Sequence, residues 1–135
     1  GAYLNGKKLT TSPTNAIKKA MLATGFPYNL EQNPDHCIEH LTQILKMGIP
    51  IRRMGSAAID MAYVAAGRFD GFWEISLKPW DFAAGLLLVK EAGGKVATME
   101  GDPLNIFNAT SVVASNHHLY EAILEHLKLS KDKSR

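Results

Sequence analysis

The chain has one cysteine, Cys37, so it forms no internal disulfide, and the thiol reads as a structural group on a helix. It has neither a secretory signal nor an apolar run of membrane-spanning length, and a reducing cytoplasm is the expected compartment. Charge of one sign is scarce as well. The formal net charge is +2, and the basic residues are scattered except for Lys128, Lys131, Lys133 and Arg135. That balance argues against a nucleic-acid partner and leaves residues 128–135 as a basic, solvated tail. There is no phosphate-cradling loop of the P-loop form, no serine elbow of the hydrolase form and no internal repeat. The chain does not open on methionine either. Gly1-Ala2-Tyr3-Leu4 runs straight into an Asn5-Gly6 pair that favours a tight hairpin returning through Lys7-Lys8-Leu9. A domain rarely starts inside a hairpin, so the chain reads as a piece of a longer polypeptide or as one carrying an expression remnant.

What is present is ordinary globular material: 135 residues, 46% hydrophobic and 21% charged, enough for one core spanning residues 1–127. Residues 19–24 read as a short strand ending at Gly25-Phe26-Pro27. Pro34 and Asp35 open a helix with an apolar face of Ile38, Leu41, Ile44 and Leu45, closed by Gly48. Residues 49–54 form a strand that Pro50 confines to an edge or a strand start. Ser56 is the natural N-cap of a second helix, apolar on nearly every side through Ala66 and therefore expected to be buried. An aromatic strand, Phe72-Trp73-Glu74-Ile75, precedes a third helix bracketed at 79–92 by Pro79 and by Gly93-Gly94, roughly 21 Å long at the usual rise per residue. With both apolar helices central, Leu87→Ala is expected to cost about 2–5 kcal/mol. Strands at 95–98 and 111–115 follow, then a helix capped by Asn116 with a stripe of Leu119, Tyr120, Ile123, Leu124 and Leu127. This alternation predicts an α/β layered domain in which helices cover a mixed sheet.

The chemistry-bearing residues fall at element ends, where α/β folds gather their ligands. Asp81 stands in the first turn of an otherwise apolar helix, where unpaired N–H groups and the helix dipole keep a carboxylate ionised; it is either a ligand for a hard cation or a charged N-terminal residue. Gly55, Ser56 and Ala57 open a helix whose free N–H groups suit a hydroxyl or anion, against Ser56 as a mere cap. Glu74 is either an acceptor for the hydroxyls of a polyol or a surface acid. His36 and His40 share one helix face, but no Glu beside His36 completes a protease helix, and His117-His118 lacks partners at ligand spacing. These residues alone do not choose between their alternatives.

Three stretches together resemble the C-terminal half of the inositol monophosphatase family. They are Gly1-Ala2-Tyr3-Leu4-Asn5-Gly6-Lys7, Arg53-Met54-Gly55-Ser56-Ala57-Ala58, and Trp80-Asp81-Phe82-Ala83-Ala84-Gly85 with Glu91-Ala92-Gly93-Gly94. The resemblance implies an αβαβα sandwich, usually dimeric, and a Mg²⁺-dependent phosphomonoesterase acting on inositol phosphates or related sugar phosphates. It matches Asp81 to a metal-binding aspartate, Glu74 to an acid that contacts substrate hydroxyls, and Gly55, Ser56 and Ala57 to the loop beside the ring. The family's other metal ligands, an upstream glutamate and an Asp-Pro-Leu-Asp-Gly-Thr type motif, have no counterpart here. The chain alone is therefore expected to be inactive, supplying a substrate-side wall and one Mg²⁺ ligand to a site completed by a missing N-terminal half. Two other readings stand beside this one: a phosphatase for fructose 1,6-bisphosphate or a nucleotide bisphosphate, and a non-catalytic module bound to a transcription or translation component.

Overall fold

The computed structural model describes residues 1–108 and 110–128; the expected basic tail lies outside them beyond Lys128. Strands β1 (Tyr3–Leu4) and β2 (Lys7–Lys8) form the opening hairpin. Asn5 and Gly6 both take positive φ, 52° and 80°, as the mirror-image turn requires. There follow β3 (Leu22–Thr24), α1 (Cys37–Leu45), β4 (Ile51–Arg52), α2 (Ala57–Ala65), β5 (Gly71–Leu77), α3 (Pro79–Glu91), β6 (Lys95–Ala97), β7 (Thr110–Ser115) and α4 (Tyr120–Leu127).

Five strands make one mixed sheet in the order β4-β3-β5-β7-β6. Strand β3 pairs in parallel with β4 and β5, whereas β7 runs antiparallel to β5 and β6. The sheet is covered on both faces. On one side Met61 and Val64 of α2 and Phe82 and Val89 of α3 pack on Ala23, Phe72, Val112 and Ala114. On the other, Ile44 of α1 and Ile123 and Leu127 of α4 pack on Leu22, Trp73 and Val113. Phe72 and Trp73 take opposite faces because side chains alternate along a strand. That alternation breaks between Glu74 and Leu77, where the register with β7 shifts and Ser76 takes φ 59°, a bulge that returns Leu77 to the face of Phe72.

A buried polar network fastens the far end of the sheet. Asp70 accepts from Ser12 Oγ at 2.5 Å and from the Met21 N–H at 2.7 Å, and Asn116 Nδ2 donates to Ser12 Oγ at 2.9 Å. Asn116 Oδ1 also accepts from the Leu119 N–H at 2.8 Å, so it caps the turn that leads into α4.

Several sequence expectations need correction. Helices α2 and α3 form an outer layer, each burying one face. Trp80 is 80% exposed, Leu87 60% and Ile59 47%, so Leu87 is not a core residue and the cost expected for its truncation does not apply. Nor is α2 apolar all round, because it buries Asp60. The strand read at 19–24 shortens to Leu22–Thr24 because Ile17–Lys19 forms a 3-10 turn. Cys37 is buried at the start of α1, its Sγ directed at Asn33 Oδ1, in keeping with a structural thiol.

Candidate active site

The parallel pairing of β3 with β4 and β5 delivers the residues after all three strands to one edge of the sheet. Helices α2 and α3 both begin there. An open cavity of about 590 Å³ occupies this edge, and Gly55, Ser56, Ala57, Glu74 and Asp81 all line it. Its walls also include Gly25, Phe26 and Tyr28 after β3, Arg53 after β4, and Lys78 and Trp80 at the start of α3. The carboxyl ends of parallel strands are where an open α/β sheet leaves room for a ligand.

Each side chain is held for a local reason. Ser56 Oγ accepts from the Ile59 N–H at 3.3 Å and so caps α2, leaving other first-turn N–H groups for a ligand. Gly55 reaches φ 88°, the left-handed turn that admits the chain to the helix. Pro79 sets the first turn of α3, and Asp81 Oδ2 accepts the Lys78 N–H at 2.9 Å, orienting the carboxylate, while Oδ1 has no hydrogen-bond partner among the described residues. Arg53 lays its guanidinium 5.2 Å from the ring centre of Phe26.

The acids of this edge repel one another. Burial pushes Glu74 up to about 7, with the Asp60 and Asp81 charges adding to the rise and Arg53 opposing it. Asp60, 1% exposed and with no hydrogen-bond partner for either oxygen among the described residues, is pushed by burial to about 6. In the sequence Asp60 is masked by the apolar run around it, although a lone acid in the first turn of such a helix is the same signal that marks Asp81.

Among the described residues no histidine lines this cavity, although His40 borders a small adjoining crevice with Gly25, Phe26 and Glu74. His117 and His118 are exposed, their rings in tilted contact, His36 pairs with Glu39 at 3.1 Å, and burial lowers the pKa of half-buried His40. Among the described residues, no three His, Cys, Asp or Glu side chains are placed to hold a metal ion together. Asp81, with one oxygen anchored by Lys78, fits a single hard-cation ligand; the donor set of the described residues does not complete an octahedral Mg²⁺ shell.

A family model described as "Inositol monophosphatase family" matches residues 1–132. The chain belongs to the inositol monophosphatase family. It is 45% identical over 127 residues to an inositol-1-monophosphatase of Rhizobium meliloti (strain 1021), covering 93% of this chain and 47% of that protein. Over 128 residues it is 44% identical to the Nus factor SuhB of Escherichia coli (strain K12), covering 95% and 48%. Its fold superimposes on the extragenic suppressor protein suhB of Bartonella henselae with a TM-score of 0.86 at 39% identity, covering 95% of this chain and 49% of that one. The chain thus spans about half the length of these inositol monophosphatase relatives. Among the described residues no helix is long and apolar enough to cross a membrane.

Proposed function

We propose that this chain forms the substrate-side wall of a Mg²⁺-dependent phosphomonoesterase acting on inositol monophosphate or a related sugar phosphate. The observation that carries the reading is the meeting of Gly55, Ser56, Ala57, Glu74 and Asp81 on one cavity. Asp81 would hold the metal through its free oxygen. Bound metal would supply the means to lower the pKa of an attacking water and to stabilise the leaving oxygen of the ester. Glu74 binds a ring hydroxyl, its carboxylate accepting from it. The N–H groups of the 55–57 turn bind a neighbouring oxygen, and together these contacts orient the ring.

The remaining metal ligands belong to an N-terminal half of the same enzyme, and the chain alone is inactive. Exposed Trp80 and Leu87 on α3 and Ile59 on α2 support this, because an apolar stripe of that kind is normally covered. The working unit is a cytoplasmic homodimer with no membrane or nucleic-acid partner. Phosphate release from inositol 1-phosphate with Mg²⁺, measured for this chain and for the polypeptide including the N-terminal half, tests the division of labour. Turnover is expected only from the longer form, and robust turnover by the 135-residue chain would overturn it.

Relatives named Nus factor favour a second reading, a module bound to a transcription component. The two separate by calorimetry, since such a module need not bind Mg²⁺ through Asp81.

A further inference from the structure

Gly25 follows β3 and lines the cavity facing Glu74. A methyl group built on its α-carbon would stand 2.6 Å from Glu74 Cδ and 3.0 Å from Oε2, inside any ordinary non-bonded approach. Its nearest neighbours are all atoms of that one carboxylate. Unlike Gly55, Gly25 is not in the left-handed region, so its backbone conformation is open to alanine. It also differs from Gly94, where a methyl would strike the Ser115 carbonyl oxygen and a Val89 methyl of the packed interior.

We propose that Gly25 is a positioning residue for substrate specificity: its missing side chain is the space in which the Glu74 carboxylate lies when it meets the hydroxyls of a polyol phosphate. The inference rests on the reading of Glu74 as the hydroxyl-binding acid. The stem of Glu74 is fixed in β5, between buried Trp73 and Ile75, whereas its carboxylate is the far end of a flexible side chain. A methyl on Gly25 therefore displaces the carboxylate and leaves the fold in place. The displaced acid can no longer make the hydroxyl contact, whereas Ser56 and Asp81 keep the backbone hydrogen bonds that hold them.

The test compares wild type, Gly25→Ala, Glu74→Ala and the double variant in the polypeptide that includes the N-terminal half. Two substrates are used: inositol 1-phosphate, and p-nitrophenyl phosphate, which offers no hydroxyl. Gly25→Ala is expected to raise KM for inositol 1-phosphate about ten- to a hundredfold, the range for losing one hydrogen bond to a charged group. It should leave p-nitrophenyl phosphate within about twofold. The double variant should be no worse than Glu74→Ala alone, because both changes remove the same contact. If Glu74→Ala raises KM while Gly25→Ala does not, or if the two effects multiply, the inference fails and the reading of Glu74 stands. If Glu74→Ala changes nothing, the reading of Glu74 itself fails and takes the inference with it. Melting points keep folding separate: Gly25→Ala should melt with wild type. Should it unfold instead, adding Glu74→Ala must restore folding, and failure to do so overturns the inference.

Discussion

The Lys78 N–H donates to Asp81 Oδ2 at 2.9 Å, and the Asp81 N–H returns to the Lys78 carbonyl at 2.8 Å, so the acid that begins α3 is both a helix cap and a charge aimed into the cavity. The two roles come apart by substitution. Asp81→Asn keeps an acceptor for Lys78 and loses the charge, whereas Asp81→Ala loses both. In the longer enzyme both should lower phosphate release by orders of magnitude. In denaturant melts Asp81→Ala should cost about 1 kcal/mol and Asp81→Asn less. A small effect of Asp81→Asn on activity would count against a metal role.

Asp60 predicts a pH-dependent stability. Its pKa is raised from 3.8 to about 6 on folding, so between these values the unfolded chain releases a proton that the folded chain keeps. Stability contributed by protonated Asp60 is full below pH 3.8 and is lost as pH rises through about 6. Asp60→Asn has no such loss. Relative to wild type it should gain on the order of 2–3 kcal/mol between pH 4 and pH 7, measured by urea unfolding at both values. A difference that does not change with pH would refute the buried-acid assignment.

Arg53 is the cation that pulls Glu74 back towards its usual range. Arg53→Met should raise the Glu74 pKa above 7, read by carboxyl carbon NMR of the chain, and Asp60→Asn should lower it. Glu74 carries the same linkage sign as Asp60: its raised pKa makes folding less favourable as pH climbs from 4.5 to about 7.

Packing gives a direct contrast on α3. Phe82 is fully buried against the sheet, and Phe82→Ala should cost about 3–5 kcal/mol. Leu87→Ala, at an exposed position, should stay within about 0.5 kcal/mol in this chain. Urea midpoints of the two variants separate these outcomes, and a large loss at Leu87 would mean that its face is covered.

Local rules made much of this fold readable. The Asn5-Gly6 turn, the Ser56 cap and the Pro79 start all lie where turn and cap chemistry puts them, because each depends on a few adjacent residues. The exposed side of α3 was hidden, since an apolar sequence does not say which face lacks a neighbour. Strand order was equally out of reach: β3 pairs with β4 and β5 across long stretches of chain. Asp60 disappeared into an apolar window, and the bulge at Ser76 carries no glycine to announce it. Of the cavity, Gly55, Ser56, Ala57, Glu74 and Asp81 were legible from position at element ends, but the closeness of Gly25 to Glu74 exists only in three dimensions.

A shared metal centre built around Asp81 is tested most directly by isothermal titration of Mg²⁺ into the polypeptide with its N-terminal half, beside the same polypeptide carrying Asp81→Asn. Binding by the first and loss of at least one site in the second is the expected result. Identical isotherms would show that Asp81 holds no metal.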